Sequence, residues 1–300
     1  MIRQESSAVR RLGAAALLVL AAGLAPAGCQ TANQVARDPG QALEAWLVPD
    51  PEPWAVWRAR DDGSGLTVDH DDWSALLRAH MTRDHDGVNR LDYDAFTAAD
   101  RDRLDAYLRR LTATPVEKLS GKEQLAYWIN LYNALVVRLV LSRYPVASVR
   151  DIDLSAGVLT SGPWERKLVE VRGRPLSLND IEHRILRPLW RDPRVHYLLN
   201  KGAVGSPNLR PEALTAGNID IMLEGAAREF VNSPRGVRMS DDGLVVSRLF
   251  AWYADDFGGA ERRVLDHLRR YAVADVAADL SRVREIAGYQ FDWSLNEPHL

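Results

Sequence analysis

A hydroxyl residue, Ser206, closes a glycine-rich turn that runs Asn200-Lys-Gly-Ala-Val-Gly-Ser206-Pro207 and follows the short apolar run Val195-His-Tyr-Leu-Leu199. A side chain held on a loop by a rigid flank is well placed for chemistry. A serine nucleophile needs a base within hydrogen-bond reach. His183 and His196 are the candidate bases, Asp256 the candidate orienter, and Asn130 a candidate oxyanion donor. Each has a plainer reading beside it. Ser206 would fix the turn before Pro207, the histidines would be hydrogen-bonded core residues, Asp255 and Asp256 would form a solvated helix face, and Asn130 and Asn133 would satisfy buried backbone groups. Lys201 is either a desolvated amine or a surface lysine. A second set of residues suits binding rather than catalysis: Gln124, Trp128, Asn133, Asn200, Lys201 and Trp252, with nine tryptophans in the chain to wall a groove. Two functions therefore stand open. One is a non-catalytic protein binding a peptide, glycan or protein partner in a Trp-rich cleft, and the other is a hydrolase or acyl transferase built on Ser206 and a histidine.

The elements that must hold these residues are mostly helical. Ser120-Gly-Lys-Glu123 reads as a capping box opening a helix from Gln124 to Leu141 that is apolar nearly all round, hence central and buried. Asp71 to His80, Ile181 to Leu186, Asn218 to Val231 and Glu261 to Tyr271 read as further helices, and Ser247 caps one carrying Trp252, Asp255 and Asp256. Strands are expected at Val195–Leu199, on either side of Gly173, and in a hairpin around Asp242-Gly243. Long helices and few strands predict an α+β fold: one mainly helical domain, residues 66–300, with a small, mostly antiparallel sheet. The run Asp84-His-Asp-Gly87 resembles a calcium loop, but the last ligand position falls on Tyr93, where a bidentate Glu is required; an Asp-Gly turn is the reading that survives. No zinc spacing, P-loop or dinucleotide fingerprint occurs, so neither metal nor cofactor is called for.

Composition is that of a globular protein, 46% hydrophobic and 26% charged, and a net charge of −3 without a basic stripe speaks against nucleic acid as a partner. Residues 1–28 read as an export signal, with Arg3, Arg10 and Arg11 ahead of the apolar run Leu12 to Leu24, too short to span a bilayer. Two processing routes compete: cleavage after Ala25-Pro-Ala27, or lipidation of Cys29, the chain's single cysteine, in an Ala27-Gly28-Cys29 box. The second implies a periplasmic protein anchored to the outer membrane through lipid on Cys29. Residues 29–65, rich in Pro, Asp and Gly, read as a tether with a short helix around Ala42–Leu47.

Several blocks together resemble a known family. They are Glu123-Gln-Leu-Ala-Tyr-Trp-Ile-Asn-Leu-Tyr-Asn-Ala134, Leu178-Asn-Asp-Ile-Glu-His-Arg-Ile-Leu-Arg187, His196-Tyr-Leu-Leu-Asn200 with its Gly-Ser-Pro-Asn-Leu209 tail, Ser247-Arg-Leu-Phe-Ala-Trp-Tyr-Ala-Asp-Asp-Phe-Gly258 and Tyr289-Gln-Phe-Asp-Trp-Ser-Leu-Asn296. In this order they look like the domain of unknown function 547 family, with the resemblance running from about Trp73 to Asn296. The family has many exported bacterial members and no established reaction. Its members commonly carry an Asn-Cys pair and then a Cys-Pro, which implies a thiol site of the papain or transglutaminase kind by analogy. This chain has Lys201 and Ser206 at those two positions, so the resemblance implies the family more firmly than the chemistry.

Overall fold

The computed structural model describes residues 48–152 and 163–298. The expected export signal, Cys29 and the helix around Ala42–Leu47 lie outside the described residues. Of the segment expected as a tether, the part from Pro49 to Gly65 packs on the domain. A short 3-10 helix, Ala55–Arg58, buries Trp57 against the edge of Trp128, ring centroids 5.1 Å apart.

The centre is the helix α3 (Gly121–Leu141), preceded by α1 (Asp71–His80) and α2 (Ala98–Ala113). Every residue of α3 from Glu123 to Val137 is buried, as its all-round apolar pattern requires. The expected capping box forms only in part. Ser120 Oγ accepts from the Glu123 amide, but the Glu123 carboxylate accepts from Val68 N (2.7 Å) and Ala216 N (3.0 Å) instead of turning back to the cap. A buried acid takes two distant amides here because tertiary donors reach it. The complete box occurs at α2, where Thr97 and Asp100 satisfy each other's backbone. That helix turns Leu104, Tyr107, Leu108 and Leu111 inward, one face of a 3.6-residue period.

The strands form three small sheets rather than the single one expected. β1 (Met81–Arg83) and β2 (Asn89–Leu91) pair antiparallel, as do β3 (Val169–Val171) and β4 (Arg174–Leu176). Arg172 and Gly173 make the second turn with φ of 50° and 71°, the left-handed pair a two-residue hairpin needs. In the first turn Arg90, 2% exposed, lies against the Asp84 and Asp86 carboxylates, so a fixed guanidinium holds the acids that resemble a calcium loop. The third sheet has the order β5-β6-β7, from Val237–Ser240, Gly243–Ser247 and Gly288–Gln290. β5 and β6 form the expected antiparallel hairpin, whereas β7 joins β6 in parallel after a long helical crossover. The crossover holds α6 (Leu249–Trp252), α7 (Glu261–Tyr271) and α8 (Ala274–Arg282), and follows α4 (Arg187–Trp190) and α5 (Ile219–Val231) in the chain. The fold is α+β and about half helical. Among the described residues no helix is long and apolar enough to cross a membrane.

Two local expectations change. The segment expected as a strand at Val195–Leu199 is a 3-10 helix, Pro193–Leu198. Pro193 fixes φ in the first turn and the Asp192 side chain accepts from the Arg194 amide, which starts a helix despite the β-rich composition. The helix expected to carry Trp252, Asp255 and Asp256 together divides. α6 ends at Trp252, and Ala254–Phe257 forms a separate 3-10 turn closed by Gly258 at φ 104°.

Candidate functional site

The site is organised by a π-helix, Asp180–Leu186, that runs into α4. Its start is capped reciprocally: Ser177 Oγ accepts from the Asp180 amide, and Asp180 Oδ2 accepts from the Ser177 amide and hydroxyl. Pro188 explains the widened turn. It has no N–H for the Arg184 carbonyl four residues back, and its ring crowds that carbonyl. The Arg187 amide bonds to Glu182 O, five residues back. The carbonyls of His183 and Arg184 are then received from outside the helix, by Glu52 N and Trp54 N, both at 3.2 Å. Single π-turns of this sort occur often at functional sites. This one turns Glu182, His183 and Arg187 into the interior.

There these residues join a buried ionic network. Glu182, 1% exposed, accepts from Lys201 Nζ at 2.8 Å and from the Tyr132 hydroxyl at 3.3 Å. Its other oxygen faces His196 Nδ1 at 3.7 Å, too far for a hydrogen bond, and both atoms lack a hydrogen-bond partner among the described residues. On the far side of the ring, His196 Nε2 bonds to Asp256 Oδ2 at 2.7 Å. Asp256 also receives Arg187 through two guanidinium nitrogens, at 2.5 and 3.1 Å. A third nitrogen, Arg187 Nη1, reaches Pro49 O and, at 2.9 Å, His183 Nδ1. Arginine can only donate, so that His183 nitrogen is the acceptor. Tyr253 closes the network: it stacks on His196 at 3.9 Å, and the Arg187 guanidinium lies over its ring.

The electrostatics follow from burial and pairing. Burial works against ionised Glu182, but the Lys201 ammonium outweighs it and, with His196 beside the carboxylate, holds the carboxyl well below the usual range. Burial likewise opposes ionised Asp256, yet its bonds to His196 and Arg187 bring it down to about 2. Burial pushes His183 down to about 3, helped by Arg187 and Lys201, so the ring is neutral near pH 7.

Of the residues singled out from sequence, the structure brings His183, His196, Asp256 and Lys201 together. It places others in the interior of the fold, where the amide side chains meet backbone partners. Asn130 pairs both amide atoms with Leu214 backbone, Asn133 bridges Leu198 O and Asn200 N, and Asn200 bridges Pro207 O and Gly202 N. Gln124 donates to Ala59 O and Val116 O, and Trp128 is 0% exposed. Ser206 is also 0% exposed, and its hydroxyl accepts from the Lys201 amide at 3.1 Å. The two histidines meet Asp256, Arg187 and the Glu182 carboxylate. Sequence reasoning passed over Glu182, Arg187, Tyr132 and Tyr253. The one available signal was the four-residue spacing of His183 and Arg187, which puts them on one side of a helix.

Lys201 stands at the boundary between this network and solvent. Its ammonium lies 5.8, 5.5 and 5.7 Å from the ring centres of Tyr132, Trp164 and Tyr253, within cation–π range. Beyond Trp164 a half-buried aromatic wall continues through Trp293, Trp252 and Phe291, with centroid separations from 4.6 to 6.3 Å. The turn from Asn200 to Ser206 holds this wall in place. Val204 N and Gly205 N donate to Ser294 O and Asp292 O. A Cβ on Gly205 would meet Asp292 backbone atoms at 2.6 and 2.9 Å, so only glycine permits the approach. Arg235 fixes the turn from behind by donating to Val204 O and Ser206 O.

Fold and site together define an α+β domain with a buried ionic network opening onto an aromatic wall. Residues 116–231, the segment that holds α3, the π-helix and the Ser206 turn, match the family described as "Protein of unknown function, DUF547". Comparison with curated proteins returned no match, and neither did comparison with solved structures. Among the described residues no group of three or more His, Cys, Asp or Glu side chains is arranged to hold a metal ion.

Proposed function

We propose that this chain is a cell-envelope protein, exported and tethered by lipid on Cys29, that binds a peptide, glycan or protein partner at its aromatic wall. The observation that carries the reading is the contact chain Trp164–Trp293–Trp252–Phe291, partly exposed and contiguous, with the Lys201 ammonium at its inner end. Aromatic surface with a few convergent polar groups is the usual composition of a ligand site, and exposed contiguous apolar patches mark interaction surfaces. The hydrolase reading has less support, since the Ser206 hydroxyl is enclosed and engaged by the Lys201 amide. At the family's other thiol position stands an ammonium ion-paired with Glu182.

The test is tryptophan fluorescence of the full chain titrated with cell-wall glycan fragments and with peptides. Ser206→Ala responds as the parent does, and Trp252→Ala loses the response. A correctly folded Ser206→Ala protein that no longer responds overturns the binding reading. For the anchor, metabolic labelling with palmitate is expected in the parent and absent in Cys29→Ala; equal labelling of both removes it.

A further inference from the structure

The charges beneath the wall restrict what the cleft accepts. Two carboxylates, the buried Glu182 and the partly exposed Asp256, are matched by two fixed cations, Lys201 and Arg187. The rim repeats the balance: Arg150 lies over the Trp293 ring, and Asp292, between Phe291 and Trp293, is exposed. A charged ligand would upset both balances, whereas a neutral one leaves them intact.

One polar function does point outward. An ammonium has three N–H donors. Those of Lys201 have two acceptors among the described residues, Glu182 Oε2 and the Tyr132 hydroxyl. The side chain remains 13% exposed, so a third donor is left at the foot of the wall. The wall itself consists of flat ring faces, tilted 38° to 54° to one another. Aromatic faces are electron-rich and attract the polarised C–H faces of sugar rings.

We infer that the ligand is an uncharged oligosaccharide, its rings stacked on Trp164, Trp252, Phe291 and Trp293 and one hydroxyl or acetamido oxygen accepting the third N–H of Lys201. This rests on the binding reading above and goes beyond it in naming the ligand class and Lys201 as the residue that orients it.

The experiment is a fluorescence and calorimetric titration of the full chain with four probes: chitohexaose, cellohexaose, hexagalacturonate and an uncharged Gly/Ser/Tyr decapeptide. Saturable binding of a neutral hexasaccharide is expected, weaker for the uronate. The Lys201→Met/Glu182→Gln double variant removes donor and buried acid together, so that no unpaired charge remains. It is expected to bind about tenfold more weakly, as loss of one good hydrogen bond implies. Tighter binding of the uronate than of the neutral sugars overturns the inference, as does full affinity in the double variant. Binding of the decapeptide alone overturns the glycan assignment and leaves the binding reading standing. Silence of all four probes overturns the glycan assignment, and the binding reading then falls or stands on its own Trp252→Ala test with cell-wall fragments.

Discussion

The Lys201 ammonium lies 2.8 Å from a Glu182 carboxylate oxygen, and Glu182 is almost completely enclosed. The pair joins the turn that ends at Ser206 to the π-helix that carries His183. Neither residue is tolerable alone at that depth, because an unmatched buried charge is far costlier than a matched one.

Lys201→Met therefore strands the Glu182 carboxylate and is expected to lower stability by about 3 kcal/mol, the range found when one partner of a buried pair is removed. Adding Glu182→Gln restores most of the loss. Urea denaturation of the two variants checks this, and equal stabilities would show that the pair is not coupled.

Stability depends on pH through the buried histidines. Burial lowers His183 to about 3, and His70 and His267 to about 4 each, from 6.5. The folded protein thus favours the neutral rings, while the unfolded chain takes up protons near 6.5. Their contribution is complete above about pH 6.5 and is lost as pH falls toward 4 and below, by up to about 1.4 kcal/mol per pH unit for each ring. Asp256, depressed to about 2, adds its loss only below pH 3.8. His183→Gln should flatten the profile between pH 6 and 4 in thermal-melt series; a profile as steep as the parent's argues against a neutral buried His183.

Pro188→Ala would return an N–H to the helix and offer the Arg184 carbonyl an internal donor. The Trp54 amide, which now serves that carbonyl, should lose hydrogen-exchange protection, and Glu52 with it. Unchanged protection at both amides would mean that the proline does not cause the π-turn.

Gly205→Ala places a methyl group against Asp292 backbone. Overpacking of this kind typically costs about 1–3 kcal/mol. Because the displaced segment carries Phe291 and Trp293, the variant should melt earlier and show altered tryptophan emission. A melt within a degree of the parent, with unchanged emission, would separate the turn from the wall.

Elements with strong local signals were legible in the chain itself. The all-apolar run of α3, the Asp71–His80 helix and the hairpins at Gly173 and Gly243 all lie where periodicity and turn residues put them. The family resemblance was legible too, and the family model matches its central part, residues 116–231. Where a local rule met a tertiary donor, it failed: Glu123 left its capping box for Val68 and Ala216, and Pro193 with Asp192 turned a β-rich run into a 3-10 helix.

The site divides in the same way. Residue types alone pointed to His183, His196, Asp256 and Lys201 as chemically able, but equally to Ser206 and Asn130, which the structure gives to backbone partners instead. Which of them meet, and that Glu182 and Arg187 bind them into one network, was decided only when the π-helix, the 3-10 turn at Ala254–Phe257 and the Ser206 turn converged. Ion pairing and burial depend on distances between segments many tens of residues apart, and no local pattern encodes those. The same convergence enclosed the Ser206 hydroxyl and left partly exposed the aromatic wall that begins at Trp164 beside Lys201.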